Sequence, residues 1–239
     1  MRDTDRNDLG IYDDVADQWW SDDIRWVRTL RNMVPGRLAW FDKRIDWAGK
    51  RVLDLGCAGG FMAEALSDRG AIVTGLDPAA DAIRAAQAHA DATGRDITYD
   101  VGIGESLPYE DGCFDAVVCV DVLEHVSDLQ LVVGEVSRVL RPGGMFLFDT
   151  INRTRIAHLV TITMAENVLG LLPRGTHDPA LFIRPSELRK TLTDAGLVAG
   201  AFTGLAPRGI TTRLDFTFAP FPSQSVIYMG TARKPKAPT

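Results

Sequence analysis

Residues 52–61 read VLDLGCAGGF: an apolar run, then a turn of small residues, with the acid Asp54 two places before the first glycine, Gly56. A short apolar run bounded by glycines is the signature of a buried strand, and a glycine turn that opens a helix lets the backbone approach a ligand closely. A dinucleotide fingerprint, counted from Gly56, demands glycine at 58 and 61, where this chain has Ala58 and Phe61. Asp54 adds an electrostatic objection. Beside a doubly negative pyrophosphate it would make a like-charge contact, whereas an ammonium or a sulfonium would suit it.

The next acid sharpens this. Asp77 ends the following apolar run, at the spacing from Gly56 where a carboxylate accepts hydrogen bonds from both ribose hydroxyls. A nucleoside that is cationic and has no phosphate is implied, and S-adenosylmethionine meets both conditions.

Outward from the turn, short apolar runs alternate with helical segments: RVLDL, AIVTGLD, ITYDV, FDAVVCV and MFLFDTI, with helices between most of them. That rhythm predicts βαβ units and a parallel, doubly wound α/β sheet over 50–151. Before it, 11–47 holds the five tryptophans in an amphipathic helical cap, and residues 1–10 read as frayed. After it, 152–184 is an insertion built on a mostly apolar helix that ends near Pro173, at the sheet edge where open α/β folds bind ligands. Residues 185–239 supply a helix and two closing strands, LVAGAFTGLA and SVIYMGTAR. The whole of 1–239 is expected to form one domain.

Composition narrows the function. The net charge of −6 over 239 residues gives no basic surplus for a phosphate backbone, so nucleic acid is not the expected partner. Cys57, Cys113 and Cys119 have neither metal-clip spacing nor the even count of a disulfide framework. No signal peptide or membrane-spanning run is present, so a reduced, cytoplasmic protein is expected.

The motifs VLDLGCAGG, GLDP, GESLPYEDGCFDAVVCVDVLEHV and LRPGGMFLFDT resemble those of class I S-adenosylmethionine-dependent methyltransferases. VADQWW, PGRLAWF, LEHV, INR and above all LLPRGTHDPALFIRPSEL are similar to the ubiquinone-biosynthesis O-methyltransferase family, which methylates polyprenylated catechols and phenols. The resemblance covers most of 12–190 and implies a Rossmann-like, mostly parallel, seven-stranded sheet with an antiparallel last strand. It places Gly56, with Cys57, Ala58 and Gly59, under the methionine moiety. Asp77 and Pro78 fall at the ribose, Val120 at the adenine or methionine face, and Arg37 on the methionine carboxylate. The family's middle glycine is Ala58 here. An acid common in the family is replaced by Ile103, so adenine is left to the backbone around Gly104 or to Glu105.

Methyl transfer from sulfonium to oxygen is an in-line displacement that gains from alignment and a dry site. A phenol must first lose its proton, which calls for a base or for a metal that lowers its pKa from about 10. Asp121, Glu124 and His125, just after the fourth strand, admit both. His125 serves as general base oriented by an acid, or all three hold a divalent ion, with Mn²⁺, Fe²⁺ or Zn²⁺ suiting this donor set better than Mg²⁺. A third reading has Glu124 and His125 only capping the next helix. Trp19, Trp20, Asn152, Arg153 and His177 are candidate substrate contacts. The apolar stretch 156–176 is a water-excluding lid, a peripheral membrane contact, or plain core. The competing functions are methylation of carbon or nitrogen, a nicotinamide-dependent oxidoreductase, and a non-catalytic binder of S-adenosylmethionine.

Overall fold

The computed structural model describes residues 7 and 10–236. One sheet of eight strands organises the chain: β1 (Arg51–Leu55), β2 (Ile72–Asp77), β3 (Ile97–Val101), β4 (Phe114–Cys119), β5 (Leu140–Ile151), β6 (Val198–Ile210), β7 (Phe216–Phe221) and β8 (Ile227–Arg233). Their order is β3-β2-β1-β4-β5-β8-β6-β7. The pairs β2–β3, β1–β2, β1–β4 and β4–β5 are parallel, and β8 runs antiparallel to both β5 and β6. Chain order reverses between β1 and β4, so the carboxyl ends of these two strands diverge into a crevice.

The predicted strands are all present, with one addition. β7 pairs antiparallel with β6 at the sheet edge, making eight strands rather than seven. Its sequence, FTFAPF, carries a proline, which an edge strand tolerates because one row of its N–H groups is unpaired. The Pro142-Gly143-Gly144 turn lies near the start of β5, where the pairing with β4 is irregular.

Helices cover both faces: α1 (Ile11–Asp14), α2 (Arg25–Phe41), α3 (Phe61–Ser67), α4 (Ala80–Thr93), α5 (Leu129–Val139), α6 (Arg155–His158) and α7 (Pro185–Asp194). α4 buries Ala82, Ile83, Ala86 and Ala90 at helical spacing and stops at Gly94, whose φ of 70° only glycine adopts cheaply. α5 buries Val132, Val133, Val136 and Val139. α2 packs on β7 so closely at Gly36 that a Cβ there would stand 2.6 Å from the Phe218 carbonyl oxygen. This close approach positions Arg37, the next residue.

α6 continues into a wider π-helical winding over Leu159–Val168, ending earlier than the sequence suggests. Ala157, Thr161, Ile162 and Glu166 face inward, while Ile156, Leu159, Val160, Met164 and Val168 face solvent. No helix among the described residues is long and apolar enough to cross a membrane. Asn7, within the stretch expected to be frayed, is bonded to Gly175 and His125; residues 1–6, 8 and 9 lie outside the described residues.

Candidate active site

A cavity of about 600 Å³ opens at the carboxyl edge of β1, β2 and β4, within the size range of a small-molecule site. Its floor is the turn after β1. Gly56 has φ of +75°, and a Cβ there would collide with a Val122 methyl. Ala58 follows at φ of 43°, in the left-handed region a side chain resists. It is held there by its own N–H, which donates to Asp77 Oδ2 at 2.8 Å, while the Ala79 N–H donates to Oδ1 at 2.9 Å. Each Asp77 oxygen thus takes one backbone donor and keeps acceptor capacity for a ribose. Burial raises the Asp77 pKa.

Asp54 is wholly buried beside the cavity, and neither of its oxygens closes a hydrogen bond of standard geometry with any described residue. Burial, with the charge of Asp77 added, pushes its carboxyl up to about 7, against partial relief from the Ala63 amide and Arg37. A buried carboxylate without a partner is costly, and a ligand ammonium would relieve that cost.

Arg37 is buried against the cavity, yet much of its guanidinium is already committed. Nε bonds Asp149 Oδ2 at 2.5 Å and Nη2 pairs with Asp121. Burial opposes its charge, and these two acids more than restore it. Asp121 sits at φ of +55° with its N–H donating to Asp149 Oδ1 at 2.8 Å. Val120 and Gly104 line the cavity, as do Cys57 and Pro78, whereas Gly59 turns to the Trp19 ring. Ile103 stands at the rim, half exposed, and Glu105 Oε1 already accepts from the N–H and hydroxyl of Ser127. Those bonds engage the carboxylate that the sequence offered to adenine.

The acids expected to be catalytic divide. Asp121 turns to Arg37, so the trio Asp121, Glu124 and His125 does not converge as a ligand set. Among the described residues, the ligand atoms that lie within 4.8 Å of one another belong to Glu124, His125 and His177. His125 lines the cavity and is almost fully buried. Asn7 Nδ2 donates to the His125 carbonyl at 3.0 Å, which turns Asn7 Oδ1 toward His125 Nδ1 at 2.5 Å. That contact assigns the proton to Nδ1 and leaves Nε2 as acceptor. Burial, then the neighbouring His177, pushes the His125 pKa down to about 3. Glu124 accepts from the Thr150 hydroxyl at 2.8 Å while its second oxygen has no partner among the described residues, and burial, then Asp121 and Asp149, raises its pKa. Neither residue caps α5: Asp128 does, accepting from the N–H groups of Gln130 and Leu131.

His177 stacks on His125 at 5.0 Å and bonds Glu166 through Nδ1 at 2.9 Å. Glu166 also accepts the N–H groups of Gly175 and His177, so one buried acid pins the whole RGTHD turn. A lone acid in the apolar run TITMAENV was the signal for it. Asn7 left none.

Of the expected substrate contacts, His177 stacks on His125 without lining the cavity itself, and three more lie elsewhere. Trp20 stacks flat on His89 at 3.6 Å and donates to the Gly59 carbonyl, clamping the turn from outside the cavity. Asn152 is spent on the Gln224 carbonyl, and Arg153 ties the insertion to α7 through Glu187. Trp19 does line the cavity, stacked on Phe61. Tyr12 and Asp13 line it too, and sequence reasoning passed over both.

The methyltransferase domain family matches residues 53–148. The ubiquinone biosynthesis O-methyltransferase of Thiobacillus denitrificans is 38% identical over 88% of this chain and 91% of its own length. That of Chromobacterium violaceum is 40% identical over the same shares. The chain belongs to the ubiquinone biosynthesis O-methyltransferase family. In fold it is similar to the magnesium protoporphyrin IX methyltransferase of Synechocystis, crystallised with S-adenosylhomocysteine, at 19% identity and a TM-score of 0.67 over 95% of each chain.

As a member of this family the chain is an S-adenosylmethionine-dependent methyltransferase, and its cavity suits that cofactor. The unpartnered Asp54 carboxylate fits the ammonium and Asp77 fits the ribose. Among the described residues, Arg37 is the one cation lining the cavity, so no cluster is offered to a phosphate at the glycine turn. The oxidoreductase and non-catalytic readings are set aside.

Proposed function

We propose that this methyltransferase places the methyl group on an oxygen of a small phenol or catechol, a quinone precursor of the kind its relatives' name indicates. The observation that carries the reading is His125, which borders the cavity with Nε2 set as proton acceptor by Asn7. The cofactor supplies the activated methyl when bound. Asp77 and the turn at Gly56–Ala58 orient it, the aromatic cap excludes water, and His125 Nε2 takes the phenolic proton as the oxygen attacks. A neutral imidazole is the resting form, and as the O–CH3 bond forms and the S–CH3 bond breaks the proton passes to it, leaving the methyl ether, S-adenosylhomocysteine and an imidazolium. Turnover of polyprenylated and short-chain catechols, followed by mass spectrometry, tests this. His125→Asn should lower kcat by roughly 10²–10⁴-fold with cofactor affinity unchanged. Methylation at carbon or nitrogen would sink it.

A divalent ion is the second reading, supported by the convergence of Glu124, His125 and His177 and by the unpartnered Glu124 oxygen. One carboxylate and two imidazoles suit Zn²⁺, Mn²⁺ or Fe²⁺. Such an ion would lower the pKa of an acceptor hydroxyl. Dialysis against chelator decides it: unchanged turnover in excess chelator rules the ion out.

The outward face of 155–168 supports a peripheral membrane contact. Ile156, Leu159 and Val168 are all more than half exposed, an apolar surface that a bilayer interface would cover. Flotation with phospholipid vesicles should lose the protein when Leu159 and Val168 are both changed to Asp.

A further inference from the structure

We propose that Tyr12 is a cofactor-binding residue whose hydroxyl donates a hydrogen bond to the methionine carboxylate of S-adenosylmethionine. The inference rests on the reading that this cavity holds that cofactor. Tyr12 is carried by a segment tied down at both ends. Asn7 donates through its N–H to the Gly175 carbonyl at 2.8 Å, and Trp20 donates to the Gly59 carbonyl at 3.0 Å. Between them, Asp13 Oδ1 accepts the N–H groups of Asp81 and Ala82 at 2.8 and 3.3 Å, docking α1 on the first turn of α4, just beyond Asp77.

The Tyr12 ring is fixed by Trp19 and Trp26, with centroids at 6.0 and 5.8 Å. Tyr12 is half-buried and forms part of the wall of the cavity. Its hydroxyl makes no hydrogen bond to any described residue. Burial, and after it the charges of Asp121, Asp77 and Glu124, keep it protonated, with Arg37 opposing them. The cavity wall that carries Tyr12 also carries Asp77, Asp121 and Arg37, so the Tyr12 hydroxyl can donate to an anion placed there.

The cofactor has one anionic group. Asp54 suits its ammonium, but the guanidinium expected to take its carboxylate has Nε on Asp149 and Nη2 on Asp121. A second donor is needed to hold a carboxylate against two acids, and Tyr12 is the residue placed to give it. A hydroxyl bonded to a charged group is worth enough for about a tenfold change in affinity.

Calorimetric titration of the full chain with S-adenosylmethionine and with its decarboxylated analogue, which keeps the sulfonium and ammonium, tests this. Tyr12→Phe should bind S-adenosylmethionine about tenfold more weakly and the analogue as tightly as the unaltered protein does. Tyr12→Leu, run beside it with thermal melting of both variants, must show the same selective loss. Equal weakening for both ligands, or no weakening with a raised KM for the acceptor, overturns the assignment. If the unaltered protein binds neither ligand, the cofactor reading itself falls.

Discussion

Ala58 holds a left-handed backbone conformation at φ of 43° because Asp77 fastens its N–H, although a methyl group there is strained. Ala58→Gly should therefore stabilise the protein by roughly 0.5–1 kcal/mol, visible as a higher Tm, and leave cofactor affinity within a few fold. Asp54 gives a second prediction at this scale. Its pKa of about 7 in the folded chain lies above the ordinary 3.8, so between these values the folded state binds more protons than the unfolded one. Stability must then fall as pH rises through that window, with a slope of up to about 1.4 kcal/mol per pH unit from this group. Melting curves from pH 4 to 8 should show the slope, and Asp54→Asn should flatten it. Added S-adenosylhomocysteine, whose ammonium stabilises the charged carboxylate, should recover most of the loss near pH 8.

Among the elements, the insertion joins two tasks on one helix: an apolar face toward solvent and, on the other side, Glu166 holding the turn that carries His177. Glu166→Ala strips the acceptor from three buried donors. It should cost roughly 2–4 kcal/mol in chemical denaturation and lower turnover at least tenfold, while S-adenosylhomocysteine binds as before. A loss of cofactor binding in step with turnover would show the insertion to be part of the cofactor site. The elements also show how far the sequence could be read. β1 to β5 and their helices were legible because each pairs a local apolar period with a glycine or proline stop. β7 was not, because FTFAPF is short, holds a proline, and becomes a strand only by packing on α2 at Gly36.

For the whole molecule, the reversal of strand order between β1 and β4 sets the cavity, and the N-terminal cap closes it. S-adenosylhomocysteine should accordingly raise the melting temperature and NAD should not. The reverse result would contradict the cofactor assignment. The sequence by itself determined the strand rhythm, the glycine turn, the acid for the ribose and the choice of a cationic nucleoside, since each rests on spacing and charge within a few dozen residues. It also marked Glu124, His125 and His177 one by one. Only the tertiary structure decided that His177 joins Glu124 and His125 while Asp121 turns to Arg37, that Trp20 clamps the turn from outside, and that Asn7 and Tyr12 reach the site. Those contacts join residues up to 118 positions apart, and no local period or propensity encodes which distant partner a side chain will meet.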